Sequence, residues 1–295
     1  MLPTSMVKPV LEEMYELRRE MVPCFIGDPG IGKTQGIYEF AKEKGINVVT
    51  FILSNTVPSE VSGIRMPDKE TKKMEVFDDM RMASLRDGDI LFFDEILEAP
   101  PMLWSACLTL IQDRIMASGR RLPDVFIVAA SNKVASPTII PASTRDRFQF
   151  IELEFDRYHW SEWFFKKYGV RPSNTILERI QGDSSSYNIL TPRRVTKLYE
   201  WFKLSVNDKK ISIAKSMFDA VIVDCIIEMV YQVPTPQEQI VHALDVAGIK
   251  LPDEYEKLSL KEVFDALQAL PNWDKIAEVL SSTEIIEPEK TGVKF

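Results

Sequence analysis

Cysteine and histidine are scarce in this sequence, and their scarcity removes several classes of function. Its 295 residues include only three cysteines, Cys24, Cys107 and Cys225, which lie far apart in apolar segments. They form neither a metal-ligand spacing nor an even disulfide framework, so we expect reduced, buried thiols. Two histidines, His159 and His242, leave little basis for histidine catalysis or for a zinc site.

Basic charge and membrane-length hydrophobic segments are missing as well. The formal net charge is −8, which argues against a dedicated nucleic-acid binder without excluding a local basic patch. No apolar run reaches the roughly 18–20 residues that span a bilayer. The charged N-terminus lacks the apolar core of a secretory signal. We therefore expect a cytoplasmic protein with no membrane contact.

Apolar segments of strand length alternate with helical patterns in the first half of the chain. Continuous apolar strands between helices predict an α/β fold, with a mostly parallel sheet covered by helices on both faces. A helix with one apolar stripe is predicted over Met6–Met21, and further helices over Gly36–Lys44 and Met102–Gln112. The predicted strands are Pro23–Ile26, Val48–Leu53, Ile90–Phe93, Val125–Ala130 and Phe148–Leu153.

Strand patterns end near Asp156, where we place a domain boundary. Residues 1–156 are predicted to form the α/β domain, with the N-terminal helix inside 1–21. Residues 157–280 are predicted to form an all-α domain, and the polar stretch 281–295 a flexible tail. The predicted helices of the all-α domain are Trp160–Lys167, Ser173–Gln181, Pro192–Leu204, Ile211–Tyr231, Pro236–Ala247, Leu260–Leu270 and Trp273–Leu280.

The stretch GDPGIGKT, residues 27–34, follows a predicted strand and opens a predicted helix. It matches the full G-x-x-x-x-G-K-[ST] phosphate-binding pattern, in which glycines let backbone N–H groups surround a phosphate at a helix N-terminus. Lys33 is expected to reach the β- and γ-phosphates, and the Thr34 hydroxyl to bind Mg²⁺. The predicted nucleotide-binding residues are Asp28, Pro29, Gly30, Ile31, Gly32, Lys33 and Thr34.

A second chemical motif is DILFFDE, in which four apolar residues lead into Asp94 and Glu95. Carboxylates beside a buried strand are costly unless they hold a cation or transfer a proton. Asp94 suits Mg²⁺, directly or through water, and Glu95 suits polarising an attacking water. A glutamate with that task favours a nucleotide hydrolase over a small-molecule kinase.

Three later segments carry further polar groups that could serve the same nucleotide. Asn132 closes an apolar strand, where its amide could orient a water near the γ-phosphate; it also suits an ordinary turn. Arg145 and Arg147 precede the last predicted strand. Arg193 and Arg194 stand in the first turn of a helix, where cations are mildly unfavourable unless an anion lies nearby.

The ordered set of GDPGIGKT, DILFFDE, Asn132, DRF at 146–148 and TPR at 191–193 resembles an AAA+ ATPase, over roughly residues 20–205. The segment between Ser54 and Phe77, and DEILEAPPMLWSACLTLIQDR with its paired prolines, resemble the MoxR-type branch. The resemblance implies a P-loop NTPase fold with an all-α lid, and ATP and Mg²⁺ as cofactors.

The resemblance also implies a role for each polar group. Lys33 and Thr34 are similar to Walker A residues, and Asp94 and Glu95 to Walker B residues. The catalytic set it implies is Glu95, Asn132 as sensor 1, Arg147 as the arginine finger and Arg193 as sensor 2, with Arg145 and Arg194 as alternates within each arginine pair.

Members of this branch generally form rings and act on proteins. The resemblance therefore implies a homo-oligomer, with a hexameric ring as the expected form. This ring would couple ATP turnover to remodelling of a protein client or a von Willebrand A-domain partner. The alternative is a nucleic-acid-dependent motor or loader of replication or mobile elements, which the acidic composition disfavours. A nucleotide-dependent scaffold with little turnover fits the complete catalytic set less well.

Two predicted hairpins, about Gly63–Phe77 and Ile115–Pro123, complete the prediction. In the first, Ile64 and Met66 are expected to face Met74 and Val76 across a polar turn. The resemblance implies that such insertions face the pore or upper surface of a ring. Basic residues in the two turns either meet phosphates or are solvated: Lys69, Lys72, Lys73, Arg120 and Arg121.

Overall fold

A computed structural model describes residues 1–70, 73–133, 145–180 and 190–232, with isolated positions beyond 232. The three helices predicted after residue 235 lie largely outside the described residues, and the tail 281–295 lies wholly outside them. The chain divides into two compact units, the first holding Met1–Asp156 and the second beginning at Arg157. Within the described ranges, no helix is both long enough and apolar enough to cross a bilayer.

The first unit is built on a six-stranded sheet, in the order β1-β8-β2-β7-β6-β3. Every neighbouring pair in this sheet is parallel, which confirms the predicted α/β class. The strands are β1 (Leu2–Pro3), β2 (Pro23–Gly27), β3 (Val48–Ile52), β6 (Ile90–Asp94), β7 (Phe126–Asn132) and β8 (Gln149–Glu154). Two further strands, β4 (Ile64–Pro67) and β5 (Met74–Phe77), form a separate antiparallel ribbon.

Hydrophobic clusters cover both faces of the large sheet. Along β6, Leu91 and Phe93 belong to one cluster, whereas Ile90 and Phe92 belong to the other. Both faces are therefore dry, which is why the strands read as unbroken apolar runs. The helices of this unit are α1 (Val7–Tyr15), α2 (Lys33–Lys44), α3 (Pro58–Ser62), α4 (Met80–Ala83) and α5 (Pro101–Leu108), the last continuing as a π-turn over Thr109–Asp113.

The predicted helix Met6–Met21 is wrong in its extent, because α1 ends at Tyr15. Beyond it, the carbonyl oxygens of Arg18 and Arg19 accept hydrogen bonds from the Arg114 guanidinium at 2.8 and 2.9 Å. Between these carbonyls and α1 the chain makes turns, with the Leu17 amide donating to the Met14 carbonyl at 3.0 Å and the Arg18 amide to the Tyr15 carbonyl at 3.2 Å. Ahead of α1, the short strand β1 pairs with β8; two residues are too few to show a periodicity.

The ribbon forms where the first hairpin was predicted, but its register differs from the prediction. Ile64 lies opposite Phe77, and Met66 lies opposite Glu75. Met74 and Val76 therefore point to the other face, because side chains alternate along a strand. The second predicted hairpin is present as a single bridge between Ile115 and Arg121, with the amide of Leu122 donating to the Arg114 carbonyl.

The described part of the second unit is helical. Thr191 caps the Pro192–Leu204 helix by accepting from the Arg194 amide at 3.2 Å. The single helix predicted over Ile211–Tyr231 is wrong, because the backbone of Phe218 is extended and Asp219 caps a new helix. The helices are α6 (Arg157–Tyr168), α7 (Asn174–Arg179), α8 (Pro192–Leu204), α9 (Asp208–Met217) and α10 (Ala220–Tyr231).

Candidate nucleotide site

The polar groups picked out from the sequence meet at one edge of the sheet. Strands β2, β7 and β6 are neighbours and parallel, so the loops that leave their carboxyl ends lie side by side. The phosphate-loop sequence follows β2, Asn132 ends β7 in register with Gly27, and Asp94 ends β6. This edge is where open α/β sheets bind ligands.

The loop itself requires glycine for two different reasons. Gly32 has φ of +108°, and a Cβ placed there would meet nothing within 4 Å, so the backbone angle alone selects glycine. At Gly27, by contrast, a Cβ would lie 3.0 Å from the Leu153 carbonyl oxygen and 2.7 Å from the Ile31 side chain. The first glycine thus permits close packing, and the later one shapes the entry into α2.

Lys33 binds the loop to the end of β7. Its residue is only 6% exposed. The ammonium Nζ donates to the carbonyl oxygens of Gly27 and Asp28, both at 2.8 Å, and to Oδ1 of Asn132 at 3.1 Å. Hydrogen bonds from a charged donor are stronger than neutral ones and partly offset the loss of hydration. The cation is therefore held beside the loop, within reach of Asn132.

Thr34 and Asp94 form a second polar contact next to Lys33. The Thr34 hydroxyl donates to Oδ2 of Asp94 at 3.2 Å, and the amide of Glu95 donates to Oδ1 at 3.0 Å. Burial raises the pKa of Asp94 above its usual 3.8, and these two hydrogen bonds offset the rise only in part. A hydroxyl beside a partly desolvated carboxylate is an oxygen donor set that suits Mg²⁺.

Glu95 is held by two features that the sequence did not reveal. Its backbone is left-handed, with φ of 56° and ψ of 37°, which is uncommon for a non-glycine residue and directs the chain sharply out of β6. Its carboxylate accepts a hydrogen bond from the Ser54 hydroxyl. Ser54 follows β3, which pairs with β6, so topology was the signal that could have identified it.

Arg145 and Arg147 are not part of this cluster of contacts. Arg145 and Arg147 are exposed, on a segment anchored by buried Phe148, whose ring meets Trp104 edge-on at 6.2 Å. Neither side chain makes a hydrogen bond or ion pair within the described part of the chain.

The second arginine pair lies in the other unit, at the start of α8, and its members differ. Arg194 is half-buried, with its guanidinium 4.7 Å from the centre of the Phe218 ring. Arg193 is exposed. Arg194 thus makes a cation–π contact with Phe218 inside its own unit. Of the two, Arg193 is therefore the one presented to solvent.

Residues 23–148 match the sequence profile of the family described as AAA domain (dynein-related subfamily). Two uncharacterized proteins of Methanocaldococcus jannaschii are 29% and 28% identical over 130 residues, which is 43% of this chain and 34% of each relative. The match thus spans about a third of the relatives' length.

Among solved structures, a point mutant of RuvB from Thermotoga maritima is similar with a TM-score of 0.50 and 16% identity. The likeness covers 94% of this chain and 88% of that one. At that identity it speaks to the fold alone.

Proposed function

We propose that this chain hydrolyses ATP in a Mg²⁺-dependent reaction and uses the turnover to remodel a protein partner, in the manner of MoxR-type ATPases; the match of residues 23–148 to the AAA domain profile supports the proposal. The observation that carries the proposal is the meeting of Lys33, Thr34, Asp94 and Asn132 at one sheet edge. Lys33 contacts Asn132 and Thr34 contacts Asp94, although nearly a hundred residues separate Lys33 from Asn132.

Each residue then has a distinct task. The N-terminus of α2 and the Lys33 ammonium bind the phosphates, and Lys33 exchanges its carbonyl partners for phosphate oxygens. Thr34 and Asp94 would hold Mg²⁺, which neutralises phosphate charge when bound. Asn132 orients the γ-phosphate and the attacking water through its amide.

Glu95 polarises the attacking water. A carboxylate has about four lone-pair positions. It can therefore keep its bond from Ser54 while it accepts a hydrogen bond from water. The left-handed backbone of Glu95 fixes the starting position of that carboxylate at the end of β6.

Arg147 is proposed to complete the site of a neighbouring subunit. It is exposed and makes no ion pair among the described residues, so its guanidinium is available for an anion outside its own subunit. An arginine supplied in trans stabilises charge on the transferring phosphoryl group and is worth about 10³–10⁵ in rate. The active form would then be a ring, which we propose to be a hexamer.

The second unit is proposed to act as the lid, with Arg193 as the residue that responds to nucleotide. Arg193 is favoured over Arg194 because Arg194 is occupied by the Phe218 ring. The partner is proposed to be a protein, such as a client or a von Willebrand A-domain protein. If instead single-stranded or duplex DNA accelerated ATP turnover with a steep salt dependence, a nucleic-acid motor would replace this proposal.

Mixing two inactive variants tests the central claim. Arg147→Ala and Glu95→Gln are each expected to remove turnover while sparing ATP binding, because neither residue holds the phosphates. In a mixed ring, a Glu95→Gln subunit can donate its intact Arg147 to an Arg147→Ala neighbour. An equal mixture should then regain up to about a quarter of the wild-type rate, since each interface is heterologous.

Arg86→Ala is the matched control, because Arg86 is an exposed arginine of the same unit that has no assigned task. It should retain full activity alone. An absence of regained activity at every mixing ratio, with oligomers verified by light scattering, would exclude action in trans. Full activity of Arg147→Ala alone would remove Arg147 from the mechanism and direct attention to Arg145.

A further inference from the structure

Trp104 lies in α5, the helix that follows β6, and this part of the chain is fastened on both sides of it. Before the helix, the buried Leu97 amide donates to the Ser131 hydroxyl at 3.2 Å. After the helix, the Arg114 guanidinium donates to the Val125 carbonyl at 2.9 Å. A side chain on an element that is held on both sides has a well-defined position. Trp104 therefore presents a fixed surface to the residue that packs on it.

That residue is Phe148, which directly follows Arg147 in the chain. The two rings meet edge-on, with their centres 6.2 Å apart and their planes at 87°. Trp104 is 2% exposed and Phe148 is 6% exposed, so water has little access to the contact. Edge-to-face aromatic pairs have a preferred geometry, which limits how far the Phe148 ring can turn or shift.

The backbone sets the direction in which Arg147 extends. Its side chain is exposed, and the guanidinium makes no hydrogen bond or ion pair within the described ranges. On the carboxyl side, the Gln149 amide donates to the Val22 carbonyl at 3.0 Å as β8 begins. Only Phe148 stands between that strand and Arg147. The contact of Phe148 with Trp104 therefore fixes the point from which the arginine extends.

The Trp104 contact depends on the aromatic ring and not on the indole N–H. Nε1 is buried, and it has no hydrogen-bond partner among the residues that the structure describes. A buried donor without a partner costs free energy, which a phenylalanine ring in the same place would not lose. The contribution of Trp104 to this contact is therefore its aromatic surface, and phenylalanine should be able to replace it.

We propose that Trp104 is a positioning residue for Arg147: its ring holds Phe148, and Phe148 sets where Arg147 extends toward the nucleotide of a neighbouring subunit. The inference rests on the function proposed above, in which Arg147 acts in trans. A misplacement of about 1 Å that originates far from the chemistry can cost about 100-fold in rate. Trp104→Leu should therefore lower ATP turnover by about 10- to 100-fold and leave ATP binding unchanged.

Mixing variants separates this role from a general loss of structure. A Trp104→Leu subunit keeps its own Glu95 but presents a displaced Arg147. It should regain activity when mixed with Glu95→Gln, whose Arg147 is correctly placed, and regain none when mixed with Arg147→Ala. If Trp104 supported only the site of its own subunit, the pattern would be reversed, because the Trp104→Leu subunit would still donate a correctly placed arginine to Arg147→Ala.

Three further variants keep the test decisive if Trp104→Leu folds poorly. Trp104→Phe retains a ring and should keep most of the turnover. Phe148→Leu removes the other ring of the pair and should reproduce the mixing pattern of Trp104→Leu. Phe126→Leu is the matched control, because Phe126 is a buried ring of the other hydrophobic cluster and meets Tyr15 edge-on at 5.7 Å. It should lower the melting temperature but show normal turnover at temperatures where it is folded.

Hydrogen exchange of residues 145–149 provides a measurement that needs no nucleotide. The Phe148 amide donates to the Arg145 carbonyl at 3.3 Å, and it should exchange faster in Trp104→Leu than in Phe126→Leu. Unchanged exchange, undiminished turnover or any other mixing pattern would overturn the inference and leave the proposed function intact. If Arg147→Ala and Glu95→Gln failed to complement each other, the proposed action in trans would fall, and the role of Trp104 in turnover with it; exchange would then still report the contact.

Discussion

Asp94→Asn should make the nucleotide-free protein more stable while removing the Mg²⁺-dependent ATP hydrolysis proposed above. Burial raises the pKa of Asp94 above its usual 3.8, so the ionised carboxylate is less favourable in the folded chain than in the unfolded one. The substitution removes that charge. It is expected to leave the local structure in place, because the asparagine is nearly the same size and shape.

The expected change in the free energy of unfolding depends on which hydrogen bonds the asparagine retains. Its Oδ1 can still accept from the Glu95 amide at 3.0 Å, and its Nδ2 can donate to the Thr34 hydroxyl at 3.2 Å. Only the partly buried charge is lost. We expect the free energy of unfolding to rise by about 0.5–2 kcal/mol, as for other relieved functional sites. The melting temperature should rise by roughly 2–4 °C for each kcal/mol.

The pH dependence has a definite sign. Below the usual pKa, Asp94 is protonated in both states and contributes no penalty. As pH rises through its raised folded-state pKa, the wild type loses stability that the asparagine variant keeps. The difference between them should therefore widen from about pH 4 upward.

Asp124→Asn is the control with the opposite sign. Burial acts to raise the pKa of Asp124, but Arg19 and Arg18 outweigh it, and the net pKa is lowered. Both arginines donate to its carboxylate at 2.8 Å. This carboxylate stabilises the fold above its usual pKa, and the stabilisation is lost as pH falls through the lowered value. At neutral pH the substitution should therefore reduce the melting temperature.

Thermal unfolding across this pH range, with and without ATP and Mg²⁺, measures all of these effects. Ligand that binds only the folded state raises its melting temperature, so wild type should gain stability from ATP with Mg²⁺ beyond that from ATP with a chelator. Asp94→Asn should not. A lower melting temperature for nucleotide-free Asp94→Asn, or an undiminished Mg²⁺-dependent gain, would refute the reasoning.

Three further variants examine the remaining contacts. Ser54→Ala should change the ATP turnover rate several-fold with little change in ATP affinity, because Ser54 contacts Glu95 and none of the residues proposed to bind phosphate. Stopped-flow binding measures the affinity and steady-state kinetics the turnover. A loss of affinity without a change in turnover would count against this assignment. Arg193→Ala should reduce turnover and leave the melting temperature unchanged. Arg194→Ala should lower the melting temperature, because it removes the contact with Phe218. The reverse pattern would exchange the roles of the two arginines.

Much of the first unit could be predicted from the sequence because its signals are local. A strand buried on both faces must be apolar along almost its whole length, so the runs Pro23–Ile26, Ile90–Phe93 and Val125–Ala130 could be recognised as strands from the sequence. The requirement for glycine at position 32 is likewise local, because it comes from the φ of +108° of that one residue. Once those strands are parallel neighbours, their carboxyl ends meet, and the grouping of Lys33 with Asn132 follows from topology.

The predictions that failed depend on specific contacts that hydrophobic periodicity does not show. The turns that follow α1 are held by Arg114, almost a hundred residues later, which donates to the Arg18 carbonyl. The ribbon register is set by the closure of its turn, where the Asp68 amide donates to the Lys73 carbonyl at 2.9 Å. A shift of one residue then exchanges the faces of every side chain. No pattern within either segment contains that information.

By itself, the sequence determined the α/β sheet, the glycine-rich loop after β2 and the residue types at the strand ends, because the signals of burial, backbone angle and periodicity lie in neighbouring residues. Only the tertiary structure decided that Ser54 holds Glu95, that Phe218 occupies Arg194 and that Trp104 packs against Phe148. Each of these contacts unites residues brought together by folding, and a side chain's partner is fixed only when both elements have been placed.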